Sequence, residues 1–348
     1  MIGSFSELPG LVARELETRR RVVVVLLDAF GWAFVQRHER HPLLARIARD
    51  GTLGPMASQF PSTTTAHVTT MHTGLPVEAH GLYEWRVWEP ALGEVIVPLL
   101  VGEEPGFDAR AALLPEGPSF YQRLAARHGA SSTVWSPSRF SPSGFDRVAI
   151  RGARLVPYED LSSVAVAGDD KSYTYIYSDR IDAVGHRHGP SSPQFDDACL
   201  RALDNLYGVF FGPQAPKHDD TLLLLTADHG QIDVAPERLD LLDVDGGAAA
   251  GSSRDLFLHV AQERVDETIE AINSTLGERG TAVRSSTLFP APGPRLAARL
   301  APICVLPAPG RMTWLSTDAD DIQLSFRGHH GGRTPEESTT FLGTLELG

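Results

Sequence analysis

The sequence predicts an α/β fold, a doubly wound and mostly parallel sheet with helices on both faces, to which a small α+β insert is added. Three observations carry that expectation: apolar runs of strand length, stretches of 3.6-residue periodicity between them, and acidic residues where the runs end. Residues 22–27 form a valine and leucine run between Arg19-Arg20-Arg21 and Asp28, the pattern of a strand buried on both faces. Residues 119–128 read as a helix and 132–135 as the strand after it. Residues 172–177 give a further strand that stops just before Asp179 and Asp182. Over 194–211 the apolar stripe Phe195, Ala198, Cys199, Ala202, Leu203, Leu206 and Phe210 faces away from Asp196, Asp197, Arg201 and Asp204, an amphipathic helix. Residues 221–226 repeat the buried run and stop at Ala227-Asp228-His229-Gly230.

The texture changes after Asp243. A flexible stretch over 246–253 leads to a strand at 255–260, a helix at 265–276, a short strand at 281–284 and a Pro-rich connection over 290–309. The expected division is a core of residues 1–243 and 301–348 with a β-α-β insert, or cap, at 244–300. Residues 86–117 show no periodicity and are expected to be a loop or lid. Thr334-Pro-Glu-Glu337 reads as a capping box that starts a short helix.

With 348 residues, 42% hydrophobic and 22% charged, the chain is long and apolar enough for a large core, which excludes a disulfide-stapled module and a disordered chain. A net charge of −13 disfavours nucleic-acid polymers and anionic membranes as partners. Cys199 and Cys304 have no paired spacing, and no basic-then-apolar leader opens the chain, so a cytoplasmic protein is expected.

Acidic ends on three strands gather at the sheet edge where α/β folds bind ligands. Asp28, Asp182, His186, Asp228, His229 and His330 are candidate metal ligands, since three carboxylates and three imidazoles suit zinc or a similar divalent ion. Six ligands are too many for one catalytic zinc; divided three and three they describe a two-metal site for phosphoryl transfer. Asp179 has no histidine at matching spacing and reads as structural. In Phe60-Pro-Ser-Thr-Thr-Thr-Ala-His67 a threonine hydroxyl at a helix amino terminus, beside a cation, is a candidate nucleophile.

These residues resemble the alkaline phosphatase superfamily and, within it, the type I phosphodiesterase/nucleotide pyrophosphatase family, over residues 22–81, 173–230 and 328 to about 342. In that family an Asp follows the first buried strand, as Asp28 does, and the catalytic Thr stands nine residues before a Thr-Gly pair, which counted back from Thr73-Gly74 selects Thr64. His80-Gly81, Asp182-Ala-Val-Gly-His186-Arg-His-Gly-Pro190, Asp228-His229-Gly230 and His330-Gly331 match the remaining motifs.

The resemblance implies an alkaline-phosphatase-like core and two divalent ions, zinc or else manganese or magnesium. One ion would be held by Asp182, His186 and His330, the other by Asp28, Asp228, His229 and Thr64. It implies a hydrolase of phosphodiester or phosphoanhydride bonds in small phosphorylated molecules such as nucleotides, through a phospho-threonine. The rivals are a phosphate monoesterase, phosphonate hydrolase or phosphomutase on the same cage, and an inactive metal-stabilised binding protein. Trp85 stands where the family carries an Asn that donates to a phosphoryl oxygen; His67 and Arg86 are the candidate replacements. Tyr83 and Trp85 are candidates to stack on a base or aryl leaving group.

Overall fold

The computed structural model describes residues 2–101, 113–140, 143–166, 170–213, 215, 220–238, 248–314, 323 and 325–347. Part of the flexible stretch expected at 246–253, part of the loop or lid expected at 86–117, and the boundary expected at 243/244 lie outside the described residues.

The buried runs become the centre of a seven-stranded sheet. Its order is Thr52–Ala57, Thr339–Leu347, Thr221–Thr226, Arg21–Leu27, Ser172–Ser178, Ser131–Pro137, Arg154–Tyr158. Thr339–Leu347 runs antiparallel to both neighbours and every other pair is parallel. All seven residues of Arg21–Leu27 are buried because helices cover both faces. Val23, Val25 and Leu27 pack on one side with Phe34, Leu44 and Leu203, while Val22, Val24 and Leu26 pack on the other with Val12, Met71 and Leu124. This is the doubly wound, mostly parallel arrangement that the sequence predicts. Each such side chain, fully buried, contributes about 1.5–3 kcal/mol of transfer free energy.

The helix Pro193–Phe211 is fixed at its start by Ser192, whose hydroxyl accepts from Phe195 N, and buries the predicted stripe, Cys199 included. The capping box of Thr334 and Glu337 forms at the helix Pro335–Ser338. A second, antiparallel sheet has the order Ala249–Ser252, Asp255–Leu258, Ile303–Pro307, Gly280–Arg284. The helix Val265–Leu276 closes one face of it through Val265, Ile272 and Leu276. Phe257 and Cys304 on the other face join Tyr83, Phe289 and Leu296.

Two stretches differ from the expectation. Residues 290–309 are not a plain connection: Pro294 sits in the first turn of the helix Pro294–Arg299, and Ile303–Pro307 is an inner strand of the second sheet. The part of 86–117 that is described holds a small hairpin, Val87–Glu89 with Glu94–Ile96. Among the described residues no helix is long and apolar enough to cross a membrane.

Candidate active site

In-register parallel strands end together, so the residues that come directly after them meet at one edge. Leu27 pairs with Ser178 and Leu26 with Thr226, and Asp28, Asp179 and Asp228 therefore leave the sheet side by side. Ala29 takes φ +63 at this point, in the left-handed region, and its N–H donates to Asp228 Oδ1 (3.1 Å). The helix Arg180–His188 then carries Asp182 and His186 one turn apart on one face. The turn after Gly328–His329 brings in His330.

The six predicted donors lie in two groups. The candidate ligand atoms of Asp28, Asp228 and His229 are within 4.8 Å of one another, as are those of Asp182, His186 and His330. Stacking of the His229 and His330 rings, 3.7 Å between centroids, joins the groups. Thr64 opens the helix Thr64–Thr73, and its hydroxyl lies 3.3 and 3.2 Å from the two Asp28 oxygens and 3.4 Å from His229 Nε2. Of the three threonines only Thr64 is partly exposed; Thr63 donates to Tyr83 O (3.0 Å) and Thr65 is fully buried.

The spacing suits metal better than direct pairing. His229 Nε2 is 3.4 Å from both Asp28 and Asp228, and Asp182 Oδ1 is 3.3 Å from His186 Nε2 and 3.5 Å from His330 Nε2. These separations are long for charge-assisted hydrogen bonds. Two ligand atoms each about 2.0–2.1 Å from one tetrahedral ion would lie about 3.3 Å apart. Asp228 Oδ2 is buried without a hydrogen-bond partner among the described residues, an acceptor that a cation would satisfy.

Electrostatics lead to the same conclusion. Burial, then the charges of Asp228 and Asp182, pushes the Asp28 carboxyl well above its ordinary range, and burial pushes Asp228 up to about 7. Burial also raises Asp182, but His186 and its neighbours outweigh it and hold that carboxyl low. Carboxylates this close and this dry need cations to stay ionised together. Of the imidazoles, His229 is held at about 3 by burial and His330 is also lowered by burial, so both are neutral, whereas for His186 burial is outweighed by Asp182, which raises it. Each imidazole of the two groups points its Nε2 at the site because its Nδ1 faces a carbonyl: His186 to Gly328 (2.9 Å), His229 to Gly230 (3.1 Å) and His330 to Ser62 (2.9 Å).

The other candidates separate. Trp85 lines a cavity of about 660 Å³ that also borders Asp28, Thr64 and Asp182, whereas Arg86 is not among its lining residues. His67 is fully buried, with Nδ1 against Thr63 O (2.6 Å) and Nε2 against Gln59 N (3.0 Å) and Ser58 Oγ (2.8 Å), so neither nitrogen is left to reach a phosphoryl oxygen. Tyr83 is fully buried against Phe257 and Phe289 and donates to Arg299 O (3.4 Å); it packs the core and offers no stacking face. Asp179 pairs with Arg139.

Three contributors were not singled out from the sequence. Tyr177 donates to Asp28 Oδ2 (2.6 Å), Gln231 Nε2 donates to Asp182 Oδ1 (2.5 Å), and Ser62 O receives His330. The alternation Tyr173, Tyr175, Tyr177 in a strand ending at the site, and the place of Gln231 right after Asp228-His229-Gly230, were the available signals.

The family model described as type I phosphodiesterase / nucleotide pyrophosphatase matches residues 22–333. A Schizosaccharomyces pombe protein described as an uncharacterized pyrophosphatase/phosphodiesterase is 23% identical over 251 residues, covering 68% of this chain and 50% of the relative. Human ectonucleotide pyrophosphatase/phosphodiesterase family member 7 is 24% identical over 264 residues, 67% of this chain and 53% of the relative. The matched part of the chain thus spans about half the length of these two relatives. In fold it is similar to murine ectonucleotide pyrophosphatase/phosphodiesterase 5, with a TM-score of 0.70 and 20% identity over 93% of this chain and 87% of that one. Phosphonoacetate hydrolase from Sinorhizobium meliloti, solved with phosphonoformate, gives 0.66 and 15% over 94% and 90%. Because the family match covers residues 22–333, most of the chain and every donor of the two groups, the chain belongs to the type I phosphodiesterase/nucleotide pyrophosphatase family.

Proposed function

We propose that the chain is a metal-dependent phosphoric ester hydrolase that cleaves phosphodiester or phosphoanhydride bonds of small molecules through a phospho-threonine at Thr64. The observation that carries this reading is one partly exposed hydroxyl at a helix amino terminus, beside one mixed carboxylate and imidazole group and facing a second. Asp28, Asp228 and His229 would hold one divalent ion with Thr64, and Asp182, His186 and His330 the other; zinc suits the donors, with manganese or magnesium as alternatives. Bound there, such ions supply Lewis acidity, lowering the hydroxyl pKa and offsetting phosphoryl charge.

The chain's own groups define the rest. Asp28, fixed by Tyr177, accepts from the Thr64 hydroxyl and aims it. The Thr64 oxygen forms a bond to phosphorus as the bond from phosphorus to the ester oxygen breaks, and the hydroxyl proton passes by way of solvent to the departing oxygen. Water then cleaves the threonine–phosphorus bond, returning the hydroxyl and releasing the phosphate monoester. The first N–H groups of the helix Thr64–Thr73 have no intrahelical acceptor and favour the phosphoryl oxygens, a role for which His67 is too engaged. Relatives of this fold solved with AMP and with phosphonoacetate support a small phosphorylated ligand.

Release of p-nitrophenolate from bis-p-nitrophenyl phosphate tests the reading. Chelator-stripped protein should be inactive and regain turnover with zinc or manganese, and p-nitrophenyl phosphate should react more slowly than the diester. Full activity after stripping, or none with any divalent ion, would overturn it.

A further inference from the structure

The cavity that borders Thr64 is walled largely by apolar and aromatic side chains. One wall is the helix of the candidate nucleophile itself, which presents Thr64, Val68 and His72 at positions i, i+4 and i+8. Facing it, Val134, Leu155 and Tyr175 come from three parallel strands, and Phe145 and Ile150 lie at and just beyond the helix Gly144–Ala149. The charged groups along it are occupied: Arg139 pairs with Asp179, Asp146 accepts from Ser143 N (3.0 Å) at its own helix start, and Arg147 is exposed and has an interaction of its own. Asp28, Asp146, Asp179 and Asp182 line it against Arg139 and Arg147, a balance that disfavours a second phosphoryl group.

Two independent features describe the occupant, one apolar and one a hydrogen-bond acceptor. Of the three large hydrophobic side chains that stand exposed among the described residues, Leu100 (58%) and Phe140 (37%) both border this cavity. Deep in the cavity wall Tyr175 is 1% exposed, and its hydroxyl has no hydrogen-bond partner among the described residues. A buried hydroxyl without a partner is a standing penalty that a ligand acceptor would remove.

We infer that this cavity receives an uncharged, apolar ester group of the substrate, an aryl or alkyl group bearing a single hydrogen-bond acceptor that the Tyr175 hydroxyl meets. The inference rests on the hydrolase reading above and narrows its substrates to phosphodiesters with such a substituent. Binding of that group lays apolar surface against Val68, Leu155 and Phe145 while the phosphoryl centre stays at Thr64.

The test is a set of four p-nitrophenyl phosphodiesters whose second substituent is methyl, phenyl, 4-methoxyphenyl or thymidine. The expected kcat/KM for the phenyl ester exceeds that for the methyl ester by roughly tenfold or more, as burial of a ring implies, and also exceeds that for the thymidine ester. Leu155→Lys should bring the phenyl-to-methyl ratio toward one. Tyr175→Phe should lower the 4-methoxyphenyl-to-phenyl ratio severalfold. A parallel titration with phenylphosphonate and methylphosphonate reads the cavity without turnover, and phenylphosphonate should bind roughly tenfold tighter. A preference for the thymidine ester, or ratios unmoved by Leu155→Lys, would overturn the inference. Absence of turnover for every ester, with the phosphonate difference intact, would instead overturn the hydrolase reading alone.

Discussion

Three histidines near Thr64 do structural work as neutral rings. His67 ties Gln59 and Thr63 together, His72 meets the Tyr121 hydroxyl (2.6 Å) and His80 meets Thr70 (3.1 Å) and Leu82 N (3.1 Å). Burial lowers each to about 3. Between pH 6.5 and about 3 the unfolded chain therefore holds a proton on each that the folded chain lacks, and this stability, present above pH 6.5, is lost as the pH falls. The slope is about 1.4 kcal/mol per pH unit per histidine. Urea midpoints at pH 6.5 and 5.0 should show a smaller acid loss for His72→Gln than for the unaltered protein; equal losses would contradict the assignment. The donors were legible at this scale because Asp28, Asp228 and His229 stand directly after buried runs. The role of His67 was not, since its ring is claimed by Gln59 and Ser58, eight and nine residues away.

At the scale of elements, packing without side chains sets how closely the donor-bearing loops approach. A Cβ on Gly230 would collide with Glu336 O, and one on Gly31 would lie 2.6 Å from Gly230 Cα, so the loop after Asp228-His229 rests directly on two others. Gly230→Ala should lower stability by about 1–3 kcal/mol or more through forced backbone shifts, read as a fall in the thermal midpoint and in metal content. An unchanged midpoint would show that the loop can yield. The continuous runs 22–27, 172–177 and 221–226 were readable because burial on both faces leaves no polar residue to break the pattern. Pro294–Arg299 was hidden by its proline, which reads as a connection although a first-turn proline is compatible with a helix. The inner strand Ile303–Pro307 was hidden for a related reason: Pro302 and Pro307 bracket its short apolar run, and its partners lie nineteen or more residues upstream in Gly280–Arg284 and forty-five or more in Asp255–Leu258.

Across the whole molecule, buried ion pairs join the second sheet and its flanks to the His330 loop and to the Val87–Glu89 hairpin. Arg254, 1% exposed, meets both oxygens of Glu337 (2.9 and 2.8 Å), and Glu337 in turn accepts from Gly332 N (3.0 Å), two residues past His330. Arg299 pairs with Glu89 (2.7 Å) in the same way. Arg254→Met, which strands the Glu337 charge, should cost about 3–5 kcal/mol in urea unfolding. The double variant Arg254→Met with Glu337→Met should lose less than the two single variants summed; strict additivity would contradict a paired role. Such long-range pairs were invisible in the sequence, where Arg254 and Glu337 are 83 residues apart. What the fold achieves as a unit is one hydroxyl presented to two donor groups, and Thr64→Ala tests that most directly. With metal content and circular dichroism measured on the same sample, release of p-nitrophenolate from bis-p-nitrophenyl phosphate should fall by about a thousandfold or more while both controls match the unaltered protein. A rate within tenfold of the unaltered protein, with metal retained, would contradict a threonine nucleophile.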